Sequence, residues 1–96
     1  MLELLATAAM LRCNVYYNSA TPAFRSVPCR ATFHNDRLHR VNVLLPHVGR
    51  YYDWQVGHHS VTPDPRWPEC IRYTRPEGNQ FQVCTEKSIH ELIDVD

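Results

Sequence analysis

The sequence predicts a single α+β domain over residues 1–96, in which an antiparallel sheet of four or five strands lies between an N-terminal helix and a short C-terminal helix. Three observations carry this prediction. Two stretches alternate apolar and polar residues on either side of a turn, as β-hairpins do. The segment Met1 to Arg12 is rich in Leu, Ala and Met, which favour a helix. Near the C-terminus, Ser88 and Glu91 have the spacing of a helix capping box.

The N-terminal segment, Met1 to Arg12, would be apolar on nearly every side of a helix, because only Glu3 and Thr7 form a polar line. Such a helix needs cover on nearly all sides. We therefore expect it to lie beneath the sheet or to pack against a second copy of the chain in a homodimer. A buried strand is the alternative, because the segment has no N-cap residue.

The first strand is predicted over Asn14 to Ser19, and a hairpin follows from Val27 to Leu45. Pairing Phe33 with His39 and Ala31 with Val41 gives this hairpin a clean apolar face and a three-residue loop. The reverse face then carries basic and polar residues together with two leucines: Arg30, Thr32, His34, Arg40, Leu38 and Leu44. Pro28 predicts an edge position or a bulge, because proline cannot donate to a sheet ladder.

The next strand is predicted over Arg50 to Val56, with Tyr52, Trp54 and Val56 on one face. Val61 to Pro68 contains three prolines and one large aromatic side chain, Trp67. We expect this stretch to be an extended, irregular loop, because proline fixes the backbone and removes a hydrogen-bond donor.

The hairpin from Cys70 to Cys84 has the most sharply defined register. Ile71 and Tyr73 must share a face with Phe81 and Val83, so that Tyr73 lies opposite Phe81 and Ile71 opposite Val83. The loop then runs from Arg75 to Asn79. On the other face, the same register pairs Arg72 with Gln82 and Cys70 with Cys84.

The facing cysteines have three interpretations. Directly opposed strand residues are close to bonding distance, so Cys70 and Cys84 are two free thiols, a cross-strand disulfide, or two of four metal ligands, with His58 and His59 as the candidates for the other two. The preferred interpretation is free thiols, since no metal-binding spacing is present. Cys13 and Cys29 are expected to be ordinary core thiols.

The cysteines also bear on the expected compartment. The N-terminal apolar run is short, lacks a positive charge before it and is interrupted by Glu3, which is unlike a signal peptide. Cysteines without a secretion signal predict a reducing, cytoplasmic setting. No stretch has the apolar length of a membrane span, so no membrane partner is expected.

Ten basic and ten acidic residues give a formal net charge of zero, but their distribution is uneven. Basic residues dominate from Arg12 to Arg50, and acidic ones dominate after Tyr51. Arginines interleaved with aromatic residues are typical of single-stranded nucleic-acid binding. This alternative function would use Arg30, Arg37 and Arg40. A zero net charge argues against it, because such proteins are usually basic.

A second alternative is a small hydrolase or nuclease in which His58 or His59 acts as general base with Asp53 orienting it. The sequence has no nucleophile elbow, metalloprotease motif or phosphate-cradling Gly-rich loop. We therefore expect a non-enzymatic protein with no cofactor and no metal.

The preferred function is binding to a larger protein or complex, in the way that inhibitors, adaptors and regulators, including small phage proteins, occupy a partner's surface. Trp67 and Arg66 lie in the proline-stiffened loop and belong to residue types enriched at interface hot spots. Arg72 and Gln82 on the outer face of the hairpin complete the candidate surface. The alternative for Trp67 is that its ring folds back to cover the core.

Overall fold

A computed structural model of the chain describes residues 11–45, 49–58 and 60–87. These residues form seven strands and no helix. In chain order the strands are β1 (Leu11–Tyr17), β2 (Pro22–His34), β3 (Arg37–Leu45), β4 (Arg50–Gln55), β5 (Val61–Pro63), β6 (Cys70–Thr74) and β7 (Gln80–Thr85).

All seven strands belong to one antiparallel sheet with the order β4-β3-β2-β1-β7-β6-β5. The first strand therefore lies in the middle of the sheet, between β2 and β7. The sheet curls into a half-barrel, so that β3 contacts β5 and β6 across the inner face. A backbone bond supports this closure: Leu38 N, at the start of β3, donates to Pro68 O in the segment between β5 and β6 at 2.7 Å.

The inner face of the half-barrel is the hydrophobic core. Alternate strand residues point inward, and most of them are β-branched, as suits a pleated and packed surface. The buried core consists of Cys13, Val15, Val27, Cys29, Ala31, Leu38, Val41, Val43, Leu45, Trp54, Val61, Ile71 and Val83.

The predicted α+β class is wrong, because the described part of the chain is all-β. The predicted N-terminal helix extended to Arg12, but Leu11 and Arg12 begin β1 and pair with Cys29 and Pro28. Sheet pairing overrides the helix propensity at these two positions. The rest of that helix, with the homodimer contact assigned to it, lies outside the described residues, as does the predicted C-terminal helix from Ser88.

The register of the β6–β7 hairpin is confirmed. Ile71 pairs with Val83 and Tyr73 with Phe81, and the loop occupies the positions between Thr74 and Gln80. Cys70 lies directly opposite Cys84 on the outer face. The prediction succeeds here because both strands keep a strict two-residue alternation up to the loop.

The β2–β3 hairpin was only partly predicted. Ala31 pairs with Val41 as expected, but Phe33 pairs with Leu38 rather than with His39. The turn contains only Asn35 and Asp36, both with positive φ (52° and 61°), as in a type I′ turn. His39 becomes an extra residue in β3, and this bulge turns Leu38 into the core, where it is fully buried.

Two further predictions about strands need correction. Pro28 lies in β2, which is an internal strand, and the nearby bulge lies instead at Ser26, whose φ is 52°. Asn14 Oδ1 accepts a hydrogen bond of 2.9 Å from Ser26 N and so stabilises this bulge.

The stretch predicted as an irregular loop after Val61 begins with β5, a short edge strand that ends at Pro63. An edge strand tolerates proline because one of its sides needs no donor.

The cysteines form two disulfides, Cys13–Cys29 and Cys70–Cys84, so the predicted free thiols and metal ligation are both wrong. Thr85 N donates to Glu69 O, which makes the next pair, Cys70 and Cys84, a non-hydrogen-bonded pair. Such pairs bring the Cα atoms to about 4.5 Å, and here they are 4.2 Å apart. Of the three interpretations, the disulfide is the one observed.

The Cys13–Cys29 disulfide was not predicted from the sequence, because the pairing of β1 with β2 was not predicted. Leu11 lies opposite Cys29, so Cys13 is its diagonal neighbour on the core face, with a Cα–Cα distance of 5.9 Å. Two disulfides indicate an oxidising, extracellular-type environment. The prediction of a reducing cytoplasm is therefore corrected.

The disulfides can be tested by alkylation. Iodoacetamide should label none of the four cysteines in denatured, unreduced protein and all four after reduction. The sequence separations are 16 and 14, so replacing either pair with serine should lower the free energy of unfolding by about 3 kcal/mol. Urea titration measures this loss, and labelling before reduction would contradict the pairing.

The corrected register can be tested with two leucines of β3. Leu38→Ala should destabilise the protein by about 3 kcal/mol, because the side chain is fully buried. Leu44→Ala is the matched control, since Leu44 is only partly buried on the other face and should cost clearly less. Equal losses in thermal unfolding would argue against the bulge at His39.

Candidate partner-binding groove

The segment between β5 and β6 is organised by Asp64, whose side chain is completely buried. Asp64 Oδ1 accepts a 2.9 Å hydrogen bond from Arg66 N, the pattern of an Asx-turn. The turn is also closed by backbone bonds from Asp64 N to Cys70 O and from Cys70 N to Trp67 O. The loop that carries Trp67 is therefore fixed at both ends, and Pro65 and Pro68 stiffen it further.

The second carboxylate oxygen of Asp64 connects this loop to the β6–β7 hairpin. Gln82 Nε2 donates to Oδ2 at 2.6 Å, and Arg72 Nε lies 3.9 Å from the same oxygen. Arg66 Nε lies 3.8 Å from Oδ1. A buried carboxylate is tolerated only when it is hydrogen-bonded and faces positive charge. Asp64 meets both conditions.

Three of the four predicted contact residues, Arg66, Arg72 and Gln82, are thus brought together around Asp64. The fourth, Trp67, is 43% exposed, and the guanidinium carbon of Arg66 lies 4.4 Å from the centre of its ring. Asp64 itself was missed. The Pro-Asp-Pro sequence around it signals a turn, but its burial depends on the hairpin that packs over it.

A groove crosses the outer face of the sheet beside this loop. Its larger part has a volume of about 470 Å³, and its middle is formed by Gln82 and by the Cys70–Cys84 disulfide. Strand β1 with the loop after it lies on one side, and the Trp67 loop lies on the other. The lining comprises Asn14, Tyr16, Ser19, Ala20, Arg66, Trp67, Glu69, Cys70, Gln82, Cys84, Thr85 and Glu86.

The smaller part of the groove, about 340 Å³, shares Tyr16, Ser19 and Gln82 with the larger part. It adds Asn18, Arg72, Gln80 and Phe81. Because the two parts have three residues in common, we treat them as one groove that runs from Glu86 in the larger part to Gln80 in the smaller part. Both ends and the middle are lined mainly by polar side chains.

The arginines of the nucleic-acid alternative are not assembled into one basic surface. Arg40 makes two hydrogen bonds to the carboxylate of Asp53, at 3.0 and 3.1 Å, so its charge is balanced. Arg37 turns towards the Trp67 loop, where its Nη1 donates to Asp64 O at 3.0 Å. Arg30 is exposed on the outer face of β2.

The residues of the hydrolase alternative are also only partly available. Both oxygens of Asp53 are engaged by Arg40, which leaves the carboxylate poorly placed to orient a histidine. His58 is exposed in the turn after β4, and His59 lies outside the described residues. Within the described ranges, no three His, Cys, Asp or Glu side chains are grouped so that they could hold a metal ion. Those ranges also contain no helix long and apolar enough to cross a membrane.

No protein-family model matches the chain, and neither a curated protein nor a solved structure is significantly similar to it. The function must therefore be inferred from the geometry of the groove and of the Trp67 loop.

The role of Asp64 can be tested by Asp64→Asn. The substitution keeps the shape but removes the charge that faces Arg66 and Arg72, and it weakens charge-assisted hydrogen bonds, so we expect a loss of about 2 kcal/mol in unfolding free energy. Asp53→Asn is the matched control, because it breaks a half-exposed ion pair worth about 0–1 kcal/mol. If the control costs as much as Asp64→Asn in urea unfolding, Asp64 is not the organising residue.

Proposed function

We propose that the protein is a non-enzymatic binding protein that contacts the surface of a larger protein through Trp67, Arg66 and the adjoining groove. The observation that carries this proposal is the state of Trp67. Its large ring is 43% exposed and does not belong to the hydrophobic core of the described residues. The interpretation in which the ring covers the core is therefore the weaker one.

The loop also holds Trp67 in place before any partner binds. Arg66 lies over the ring, Asp64 fixes the backbone of Arg66, and two prolines limit the loop's freedom. Tryptophan and arginine are enriched at the energetic centres of protein interfaces. A contact that is ordered in advance loses little conformational entropy on association, so more of the contact energy contributes to affinity.

The groove extends this contact beyond a single side chain. Its polar lining from Asn14, Gln82 and Glu69 offers hydrogen-bond donors and acceptors beside the aromatic anchor. Protein interfaces commonly combine a buried aromatic centre with such a polar rim. The arrangement supports protein binding better than nucleic-acid binding, since Arg37 and Arg40 already have partners within the chain.

The test compares Trp67→Ala with Tyr51→Ala, which removes an aromatic ring that is 74% exposed and lies on β4 away from the groove. Wild-type protein and both variants are immobilised and exposed to extracellular proteins of the source cells, with and without nuclease. A direct partner should be retained by wild type and Tyr51→Ala and be depleted at least about tenfold by Trp67→Ala. Binding of the purified partner is then measured by calorimetry.

The two variants should melt close to the wild type, because neither ring is part of the core. A collapse in the stability of Trp67→Ala would instead assign the ring a structural role. Retention that disappears with nuclease would favour the nucleic-acid alternative. The variants to test instead of Trp67→Ala would then be Arg30→Ala, Arg37→Ala and Arg40→Ala. Retention that is unchanged by Trp67→Ala would overturn the proposal.

A further inference from the structure

The charges in contact with the carboxylate of Asp64 do not balance. Two guanidinium groups, those of Arg66 and Arg72, face this one carboxylate at 3.8 and 3.9 Å. The carboxylates of Glu69 and Glu86 also line the groove, but in the described part of the chain neither lies within 4 Å of an arginine nitrogen. Arg66 and Arg72 therefore share the single carboxylate of Asp64, and among the described residues Arg72 is the only charged one that lines the smaller part of the groove, which we call its basic end.

Arg72 is the one of these two arginines with a buried, unsatisfied donor. Its Nε is buried and has no hydrogen-bond partner, while its side chain as a whole is 37% exposed and lines the smaller part of the groove. A guanidinium group binds a carboxylate best through two parallel N–H donors. Gln80 and Ser19 line the same part of the groove and provide an amide and a hydroxyl that can bond to a carboxylate oxygen.

Apolar contact is available beside this basic end. Tyr16, which both parts of the groove share, provides an aromatic ring there and leads towards Trp67 in the larger part. An extended chain advances about 3.3 Å per residue and turns alternate side chains to opposite sides. A segment lying along the groove can therefore place one side chain at Arg72 and another at the aromatic residues.

We infer that the groove binds an extended acidic segment of a partner protein, with an Asp or Glu carboxylate held by Arg72 and a neighbouring apolar side chain packed against Trp67. This inference rests on the proposed function and names the chemistry of its partner. The added carboxylate would give two guanidinium groups two carboxylates, and it would bring the charge of the basic end into balance.

The test uses random linear peptides displayed on phage and selected against the full-length, disulfide-bonded protein. Enriched sequences should carry Asp or Glu next to an apolar residue. The best of these is synthesised, and its affinity is measured by fluorescence anisotropy for wild type, Arg72→Gln, Arg72→Lys and the matched control Arg30→Ala. Arg72→Gln should weaken binding at least about tenfold, and Arg72→Lys should weaken it less, because lysine keeps the charge but not the paired donors. Arg30→Ala should leave the affinity unchanged.

The peptide provides a test that does not alter the protein. Replacing its acidic residue with the matching amide should weaken binding as much as Arg72→Gln does, and the two changes together should cost no more than either alone. Binding should also weaken as salt is added. Because Arg72 faces a buried carboxylate, the melting temperature of each variant is recorded, and the peptide substitution decides the result if Arg72→Gln fails to fold.

Four results would overturn the inference. The first is enrichment of peptides without acidic residues, and the second is an affinity that does not respond to Arg72→Gln or to the peptide amide. The third is a dimer that Arg72→Gln dissociates, which would assign the groove to a second copy. The fourth is tighter peptide binding when Glu91→Gln and Asp94→Asn are introduced, which would assign it to the chain's own acidic C-terminal segment.

The same data separate this inference from the proposed function. If Trp67→Ala abolishes peptide binding while the acidic residue is irrelevant, the Trp67 contact stands and the role of Arg72 is wrong. If no selected peptide responds to either Trp67→Ala or Arg72→Gln, the groove is not the binding surface, and both are wrong.

Discussion

The buried carboxylate of Asp64 is the interaction on which the outer surface depends. It fixes the loop after β5 through Arg66 N, reaches the β6–β7 hairpin through Gln82, and faces the guanidinium of Arg72. The backbone carbonyl of the same residue accepts from Arg37 at the start of β3. An ionised group out of contact with water must be bonded on several sides. Through its carboxylate and its backbone carbonyl, Asp64 joins its own loop to β3, β6 and β7, and the position of Trp67 follows from these contacts.

Alternation of apolar and polar residues predicted the strands wherever the ladder is regular. Strand β4 and the β6–β7 register follow from the sequence, because no residue is inserted or removed on the way to the turn. The β2–β3 hairpin departs from prediction at one residue, His39, since a two-residue turn and a bulge replace a three-residue loop. The alternation of apolar and polar residues does not reveal whether an extra residue belongs to the turn or to a strand. It also does not reveal that β1 lies between β2 and β7, and the position of Cys13 beside Cys29 depends on that placement.

The sequence suggested four residues of the candidate site, but not the contact that brings three of them together. Trp67 and Arg66 were identified by residue type within a proline-rich loop, and Arg72 and Gln82 by their shared face of a hairpin. Asp64, which joins these two sets, looks in sequence like any turn aspartate between prolines. Its burial is a property of tertiary packing. The Arg40–Asp53 ion pair was not predicted either, because it depends on the register in which β3 pairs with β4.

The junction between β1 and β7 divides the sheet into two halves that neither disulfide joins. Cys13–Cys29 lies within the half built from β1 to β4, and Cys70–Cys84 lies within the half built from β5 to β7. The line where β1 meets β7 pairs residues as far apart in sequence as Cys13 and Thr85, so it closes only when most of the chain is available. Hydrogen bonds and packing hold this line, including the bond that Gln80 N donates to Asn18 Oδ1, and it can open while both disulfides stay intact. The groove lies across it, with Tyr16 on one half and Gln82 on the other. A ligand that occupies the groove therefore joins the two halves and slows amide hydrogen exchange in β1 and β7, the strands that meet at this line.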